Sequence, residues 1–436
     1  MTAADPTAIL HNALRRTQPA PLLVGLSGGL DSTVLLHALS QDPLVRMHGL
    51  RAVHVHHGLQ SVADEWATRC AAFCDSLGVA LTIVDVEVDR DSGEGLEAAA
   101  RKARYAAFES VLGEGETLVT AHHRDDQAET FLLRALRGSG PDGLAAMRPW
   151  RKFAAGKHLR PLLDTPRSEL LAYAGQHGLA WLEDPSNQDL RHDRNFLRQR
   201  VLPLLRERWP QADAAFTRSA VLSADAVELL QREDALALAM ARTADPRALS
   251  VPALLELPVM RRARALRRWI EELGLPPLPG EGVAQIETYL LPARADARAR
   301  FEWRNGVIER WRDLLHAQWR REPLPAEWNT EWNGREPLPL PGGDLLRLEG
   351  VASFPSSLRV FARQGGERIV LPGREHSHTL KNLLQELGVP PWEREALPLL
   401  SDGAGELVAI ADLAYSAGFD AWLREAGARL HWVRQA

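Results

Sequence analysis

Cysteine is scarce in this chain: only Cys70 and Cys74 occur among 436 residues. Two cysteines exclude a framework of several disulfides and a metal cluster held by many thiolates. They are four residues apart in a helical segment, so they face the same side of that helix. We interpret them as small apolar residues of the core.

Long apolar runs are also missing. No stretch approaches the roughly 18 consecutive apolar residues of a membrane-spanning helix, so we expect no such helix. The first residues lack the basic-then-apolar order of a signal peptide, and we expect a cytoplasmic protein. The hydrophobic content of 45% and the charged content of 25% are ordinary for a globular protein.

The chain has no excess of positive charge. Its formal net charge is −5, which argues mildly against a nucleic-acid partner. Arginines are nevertheless concentrated in two segments, and a basic face can bind phosphates on an acidic protein because salt screens charges beyond about 10 Å. A solvated helix face is the alternative for the second segment. The two segments contain Arg191, Arg194, Arg198, Arg200 and Arg206, and then Arg261, Arg262, Arg264, Arg267 and Arg268.

Strand-like and helix-like segments alternate in the first half of the chain. The β-rich runs cover residues 21–26, 50–56, 80–88 and 117–121, and a helical pattern follows each of them. This order predicts an α/β domain over residues 1–210, with a doubly wound parallel sheet. Ligands of such sheets bind beyond the carboxyl ends of the strands.

The pattern changes after residue 210. Residues 211–240 and 251–273 predict helices, and the Asn305–Gly306 turn predicts a hairpin over 298–314. Residues 321–343 resemble a linker whose tryptophans are packed against the protein. One helix near 379–387 lies among short strands. We expect a mainly helical domain over 211–325, then the linker and a small α+β domain over 326–436.

A glycine- and serine-rich loop joins the first strand to the next helix. Its glycines let backbone amides approach a ligand, and the helix start adds unpaired N–H groups that favour an anion. The acidic residue would repel phosphate unless a cation lies between them, which suggests Mg²⁺. The alternative is a plain turn with a capping serine. The loop residues are Ser27, Gly28, Gly29, Leu30, Asp31 and Ser32.

The loop resembles the phosphate loop of the ATP-pyrophosphatases, which have the adenine nucleotide alpha-hydrolase-like fold. It has neither G-x-x-x-x-G-K-[ST] nor G-x-G-x-x-G. Further segments closely resemble the tRNA(Ile)-lysidine synthetase family over essentially the whole chain. They are 54–59 (HVHHGL), 97–105 (EAAARKARY), 121–130 (AHHRDDQAET), 137–141 (RGSGP), 184–187 (DPSN), 194–198 (RNFLR), 202–205 (LPLL) and 389–392 (VPPW).

The resemblance implies a two-step ligation. ATP adenylates the C2 oxygen of the wobble cytidine in an isoleucine tRNA with a CAU anticodon, and the ε-amino group of free lysine then displaces AMP. The products are lysidine, AMP and pyrophosphate. The implied cofactors are ATP and Mg²⁺, and the implied partners are the tRNA and lysine. The sequence leaves the oligomeric state open, a homodimer included.

Two carboxylates suit the second step. Asp126 and Glu129 are three residues apart on a predicted helix and share a face. The lysine amine has an ordinary pKa of about 10.4, so it must lose a proton before it attacks. We expect the two carboxylates to bind the lysine amines and one of them to act as base. Alternatively, Asp125 caps the helix and all three complement its dipole.

Basic residues surround this expected site. Arg101 is expected to stabilise phosphate charge, and Arg104 to contact the substrate, unless both only pair with Glu97 on the helix surface. His122 and the adjacent His123 either contact substrate or are structural. The expected tRNA-binding side contains Arg194, Asn195 and Arg198.

Other histidines and the C-terminal region are less specific. His54, His56 and His57 lack acidic or cysteine partners at ligand spacing, so we prefer packing beside the nucleotide to a metal site. In the C-terminal domain, the resemblance implies acceptor-stem contacts, although the basic run there is diluted by glutamates. The matching positions are residues 363–367, Arg374, His376, Lys381 and Arg394.

Three other functions compete with the ligation. A tRNA thiolase would need a sulfur-carrying cysteine near the phosphate loop, and the two cysteines suit this role poorly. A non-catalytic tRNA-binding protein would not need intact S-G-G-L-D-S and D-D-Q-A-E-T segments. A small-molecule amide-forming ligase would not need the long arginine-bearing domains that follow.

Overall fold

The computed structural model describes residues 6–15, 19–58, 63–89, 96–294, 297–374 and 376–434. The chain divides into two compact units, Met1–Gln231 and Arg232–Ala436. Within the described residues, no helix combines the length and apolar character needed to cross a bilayer. The finer division at residues 210 and 325 stays a prediction.

One six-stranded sheet forms the centre of the first unit. Its strands are β1 (Leu22–Gly25), β2 (Leu50–His56), β3 (Ala80–Asp85), β4 (Thr117–Val119), β5 (Trp150–Phe153) and β6 (Gly156–Leu159). The spatial order is β3-β2-β1-β4-β6-β5. All neighbours run parallel except β5 and β6, which form an antiparallel hairpin at the edge. The parallel sheet confirms the predicted α/β fold, whereas the sequence did not predict the edge hairpin.

Helices pack against both faces of this sheet, and further helices follow along the chain as far as residue 241. They are α1 (Pro6–Arg15), α2 (Leu30–Ser40), α3 (Pro43–His48), α4 (Ala63–Leu77), α5 (Leu96–Val111), α6 (Arg124–Leu136), α7 (Pro141–Leu144), α8 (Arg167–Gln176), α9 (Asp193–Phe196), α10 (Leu202–Arg208) and α11 (Ala212–Ala241). A 3-10 turn spans Pro185–Gln188, and a π-helical turn spans Leu197–Val201.

The central strand shows why the sheet needs two helical layers. Leu22, Leu23 and Val24 of β1 are all buried. Leu22 and Val24 belong to a core cluster shared with α2, α4 and α8, whereas Leu23 packs with Phe108 of α5 in a second cluster. Successive strand residues point to opposite faces, so a parallel strand buried on both sides is apolar throughout.

The topology places two loops side by side. Strand β1 pairs with β2 on one edge and with β4 on the other, so the chain reverses its direction of progress across the sheet at this point. The loops that follow β1 and β4 therefore emerge next to each other at the carboxyl ends of the strands. In open α/β sheets such a position forms the ligand-binding crevice.

The described residues of the second unit form four separate sheets, with orders β7-β10-β9-β8, β11-β14-β17-β18-β19, β12-β13-β20 and β15-β16. The strands are β7 (Ala248–Ser250), β8 (Arg300–Trp303), β9 (Gly306–Trp311), β10 (Leu314–Trp319), β11 (Asn329–Trp332), β12 (Leu338–Pro339), β13 (Leu345–Glu349), β14 (Leu358–Ala362), β15 (Arg368–Ile369), β16 (His378–Thr379), β17 (Pro398–Ser401), β18 (Leu407–Ile410), β19 (Ala414–Tyr415) and β20 (Arg429–Val433).

The helices of this unit differ in part from those predicted. The helix expected over 251–273 is two helices, because Pro258 has no N–H to continue the first one. The predicted hairpin is confirmed as β8 and β9, and the linker-like segment contains β11 and β12, with Trp332 buried. The helices are α12 (Val251–Glu256), α13 (Val259–Glu272), α14 (Gly280–Gln285), α15 (Leu380–Glu386), α16 (Pro391–Glu395) and α17 (Ala417–Ala426), with a π-helical turn at Ile286–Leu290.

Candidate active site

The loop between β1 and α2 requires glycine at its second position. Gly28 has φ +82°, a conformation that side chains rarely adopt. A Cβ there would lie 2.7 Å from Cδ1 of Leu182 and 3.1 Å from Sγ of Cys70. The Gly28 carbonyl also accepts a hydrogen bond of 2.9 Å from the amide of Leu182. The loop is therefore held close to the segment that follows α8.

Two serines fix the shape of this loop. The Ser32 hydroxyl donates to the carbonyl of Gly29 at 3.1 Å and accepts from the amide of Ser27 at 3.2 Å. The Ser27 and Ser32 hydroxyl oxygens are 3.0 Å apart. Since the Ser32 proton is already used, the Ser27 hydroxyl is the donor of that pair.

The start of α2 leaves backbone donors unused. Among the described residues, the amides of Leu30, Asp31 and Ser32 in its first turn have no acceptor. They lie at the positive end of a helix, where an anion is stabilised by both the N–H groups and the dipole. This turn can accept a phosphate group without any rearrangement of hydrogen bonds.

Asp31 adds one unsatisfied carboxylate oxygen to the loop. Its Oδ1 is buried without a hydrogen-bond partner, and the nearest cation to that atom is Nε of Arg167 at 4.0 Å. Its Oδ2 lies 3.5 Å from Nε2 of His123. An unpartnered carboxylate oxygen beside a phosphate-binding turn suits a hard divalent cation such as Mg²⁺. A group of three or more metal-binding side chains does not occur in the described part of the chain.

The helix after β4 begins with a capping box that involves Asp126. The N-cap residue is His123, and Oδ2 of Asp126 accepts from its amide at 3.1 Å. The alternative in which Asp125 caps α6 is therefore wrong. Asp125 instead accepts from the amide of Arg167 at 3.0 Å and from Arg206 at 2.8 Å. Asp126 completes the capping box because the helix starts one residue after His123, which makes Asp126 its third residue.

The charges around His123 and Asp126 reinforce each other. Burial opposes the charged form of His123, but the carboxylates of Asp126, Asp31 and Asp125 raise its pKa. Burial likewise opposes ionisation of Asp126, but the positive charges of His123 and its neighbours lower its pKa to about 2. Asp126 is therefore ionised at neutral pH, and a cationic amine would find a negative charge here.

Glu129 lies on the same face of α6, as its spacing predicts, but it is completely buried. Its Oε2 accepts from Nε of Arg194 at 3.0 Å, and its Oε1 accepts from Nε of Arg198 at 2.6 Å. Arg198 also donates to Oδ1 of Asp126 at 3.0 Å. Burial opposes the charge of Arg198, but its bonds to Glu129 raise its pKa. The two carboxylates and two guanidinium groups thus form one ion-pair network.

The other predicted residues are distributed around this network. The guanidinium of Arg101 lies over the ring of Tyr105, 5.0 Å from its centroid. Arg104 is exposed on the same helix, and the side chain of Glu97 lies outside the described residues. Asn195 is buried, and its side-chain amide donates to the backbone carbonyl of Asp189 at 2.9 Å. Arg101 and Arg104 therefore remain accessible, whereas Asn195 holds the preceding turn.

His122 and His54 connect the strand ends to the site. Burial lowers the pKa of His122 to about 3 although the charge of Asp126 raises it, and nearby arginines lower it further, so the ring is neutral. Its Nδ1 is 2.8 Å from Oγ1 of Thr120, which is in turn 2.8 Å from Nε2 of the buried His158. Sequence reasoning missed Thr120 and His158, because no spacing rule joins β4 to β6. His54 Nδ1 donates to the carbonyl of Leu26 at 2.9 Å, which ties β2 to the phosphate loop.

Both cysteines are core residues, as predicted. Cys70 and Cys74 are buried in the cluster between the sheet and α4. Burial raises the pKa of the Cys70 thiol to about 12 and that of Cys74 to about 11. Since the thiolate is the nucleophile, neither residue is suited to carry sulfur.

The arginines of α13 in the second unit are mostly paired within the protein. Arg262 is buried, with a bidentate ion pair to Glu287. Such pairing consumes most of the charge that could otherwise contact RNA phosphates. The remaining pairs are Arg261 with Glu233 at 3.0 Å, Arg264 with Asp234 at 2.7 Å and Arg268 with Glu272 at 2.9 Å.

Three protein families match successive parts of the chain. A PP-loop domain matches residues 5–205, a TilS substrate binding domain matches 249–316, and a TilS substrate C-terminal domain matches 358–432. The first family includes the β1–α2 loop and the network on α6.

Curated relatives extend over nearly the full length. A tRNA(Ile)-lysidine synthase of Xanthomonas axonopodis pv. citri is 54% identical over 96% of this chain and 95% of its own. One from Xylella fastidiosa (strain Temecula1) is 53% identical over 94% of this chain and 95% of its own. Among solved structures, the U34-tRNA thiolase NcsA of Methanococcus maripaludis covers 49% of this chain and 77% of its own at 20% identity. The TM-score of this match is 0.41.

Proposed function

The chain belongs to the tRNA(Ile)-lysidine synthase family, and we propose that its reaction takes place in the crevice between the β1–α2 loop and the start of α6. It is an ATP-using ligase that modifies a transfer RNA. In the proposed reaction the C2 oxygen of the wobble cytidine of isoleucine tRNA attacks the α-phosphorus of ATP, and pyrophosphate leaves. The ε-amine of lysine then attacks C2, and AMP leaves with the former C2 oxygen to give lysidine.

The observation that carries this proposal is the set of unused polar groups at the loop. The amides of Leu30, Asp31 and Ser32 can bind phosphate oxygens, and only glycine at position 28 lets the loop take this shape. Asp31 would hold Mg²⁺ together with the ATP phosphates. When bound, that cation would offset the charge of the triphosphate.

Asp126 is the residue we assign to the lysine amine. It is ionised and keeps 15% exposure of its side chain, whereas Glu129 is fully enclosed by Arg194 and Arg198. Glu129 then acts by fixing the two arginines beside the site. The ammonium of lysine would have to replace Arg198 at Asp126, and the ionised carboxylate would then accept one of its protons.

The tRNA is expected to present a base from a single-stranded loop, which costs less unstacking than a duplex. The exposed Arg101 and Arg104 are our candidates for contacts with its phosphates or with the adenylate. The regions 211–325 and 326–436 would bind the rest of the tRNA.

ATP, free lysine and tRNA are all cytoplasmic, so we place the enzyme there. The homodimer also stays a prediction.

Incorporation of lysine tests this function directly. The protein is incubated with ATP, radiolabelled lysine and isoleucine tRNA with a CAU anticodon, and label is measured in the RNA. We expect label only with all three substrates and with the wobble cytidine present. An isoleucine tRNA with uridine at that position is the matched control. Absence of label from the cytidine-containing tRNA would contradict the proposal.

A further inference from the structure

A chain of hydrogen bonds leads from two arginines through the sheet to the site. Nε of Arg151 is 3.1 Å, and an η nitrogen of Arg160 is 3.2 Å, from Nδ1 of His158. Nε2 of His158 is 2.8 Å from Oγ1 of Thr120, and the same oxygen is 2.8 Å from Nδ1 of His122. His158 has no solvent exposure, and Thr120 is buried.

The groups that can only donate fix which atom donates and which accepts in each of these hydrogen bonds. A guanidinium group only donates, so Nδ1 of His158 must accept from both arginines. Burial, together with nearby arginines, lowers the pKa of His158 to about 2, so the ring is neutral and its proton is on Nε2. That nitrogen donates to the Thr120 oxygen. The Thr120 hydroxyl proton then has one acceptor in the described structure, Nδ1 of His122.

His122, the last residue in this chain of hydrogen bonds, is therefore held in one tautomer. Nδ1 of His122 accepts a hydrogen bond from the Thr120 hydroxyl, so the ring proton of neutral His122 must be on Nε2. His122 is half-buried, and no described residue is hydrogen-bonded to this Nε2. Its N–H group is thus unused by the described residues just beyond β4, where the crevice lies.

We propose that Thr120 and His158 are positioning residues, which hold His122 as a neutral Nε2–H donor to a phosphate oxygen of the adenylated nucleotide. This inference rests on the function proposed above. Arg101, Arg160 and Arg194 are the basic groups that face His122, and Asp126 is the acidic one. The surplus of positive charge favours an anionic acceptor over a neutral one. A histidine whose two nitrogens are so assigned has no free lone pair, so it is not the base that deprotonates lysine.

Thr120→Val tests this chain of hydrogen bonds because valine has the shape of threonine without the hydroxyl. We expect kcat for lysine incorporation to fall roughly 10- to 100-fold, less than the roughly 100- to 1,000-fold typical of removing a donor itself. The KM for tRNA and the affinity for ATP should stay unchanged. Thr120→Ser, which keeps the hydroxyl, should restore most of the rate. Thermal unfolding of each variant controls for damage to the buried strand.

A double-mutant cycle separates positioning from packing. If Thr120 acts only through His122, Thr120→Val should cost little further activity in a His122→Phe background. Equal losses in both backgrounds would overturn the proposal. So would a Thr120→Ser variant no better than Thr120→Val.

Nuclear magnetic resonance of ¹⁵N-histidine-labelled protein observes the tautomer without any turnover. The His122 signal, identified by its loss in His122→Phe, should show the Nε2–H form near neutral pH, and Thr120→Val should convert it to a mixture. An Nδ1–H or a doubly protonated ring in the wild type would overturn the inference. Wild-type protein that fails to label tRNA would instead overturn the proposed function, whatever the tautomer.

Discussion

The β1–α2 loop and the start of α6 lie side by side, yet they are prepared for ligands in opposite ways. In the loop, three backbone amides and Oδ1 of Asp31 have no partner among the described residues. On α6, both oxygens of Glu129 and one of Asp126 are already bonded to arginines. The loop can bind a ligand without giving up any contact. On α6, a ligand has to compete with an existing ion pair, which favours selectivity over affinity.

Removal of the Asp31 carboxylate should have the largest effect. We expect Asp31→Ala to reduce AMP formation at least about 1,000-fold, because several kcal/mol of charge stabilisation at the triphosphate would be lost. AMP release in the presence of tRNA, lysine and ATP measures this. Asp75→Ala, at an exposed position on α4, is the control. Turnover near the wild-type level would show that the open oxygen is not part of the ATP site.

Neutralising Glu129 should disrupt the ion-pair network on α6. Glu129→Gln leaves two arginines facing a buried neutral group, so we expect a loss of about 3 kcal/mol in the free energy of unfolding. The KM for lysine should rise on the order of tenfold while ATP affinity persists. Urea unfolding and lysine titrations measure the two effects.

A matched pair in the second unit distinguishes stability from function. Arg262 and Glu287 form a comparable buried pair, with both bonds at 2.7 Å. Glu287→Gln should cost similar stability without a comparable change in the lysine KM. If both variants shift the lysine KM equally, Glu129 has no specific role in the amine site.

Acid should weaken the ion-pair network on α6. The pKa of Asp126 is lowered from 3.8 to about 2, so its ionised form stabilises the fold above about pH 4. We expect a contribution on the order of 2 kcal/mol that is lost as the pH falls from about 4 to 2. Asp126→Asn should flatten the pH dependence of unfolding in this range relative to the wild type. An unchanged slope in Asp126→Asn would contradict the assigned charge.

The exposed arginines of α13 should give the smallest effects. Arg261 pairs with Glu233 at the surface, so Arg261→Ala should change stability by no more than about 0.5 kcal/mol. Because its charge is already balanced, the KM for tRNA should also stay constant. If the plot of log affinity for tRNA against log salt concentration became less steep by about one, this would instead show a phosphate contact.

The two loops of the candidate site could be proposed from the sequence, because each depends on local chemistry. Glycines at the β1 end and the acidic first turn of α6 both follow from residues within one turn of each other. The two partners of Glu129 could not be predicted in this way, because Arg194 and Arg198 lie 65 and 69 residues further along the chain. Helix spacing showed that Asp126 and Glu129 share a face, but it could not show that arginines already hold them.

Long-range contacts also explain the other differences. The β5–β6 edge hairpin lies in residues 150–159, where Trp150 to Leu159 show neither the long apolar run nor the β–α alternation of the parallel strands. His158 became part of the site only through the pairing of β6 with β4. In contrast, the break between α12 and α13 depends on a local residue, Pro258, which the helix predicted over 251–273 did not take into account.

The transfer of oxygen from cytidine to AMP tests the central claim most directly. Isoleucine tRNA carrying ¹⁸O at C2 of the wobble cytidine is converted with ATP and lysine, and the released AMP and pyrophosphate are analysed by mass spectrometry. If the loop presents the α-phosphorus to that oxygen, AMP should carry one ¹⁸O and pyrophosphate none. Label in pyrophosphate, or unlabelled AMP alongside fully formed lysidine, would contradict the account.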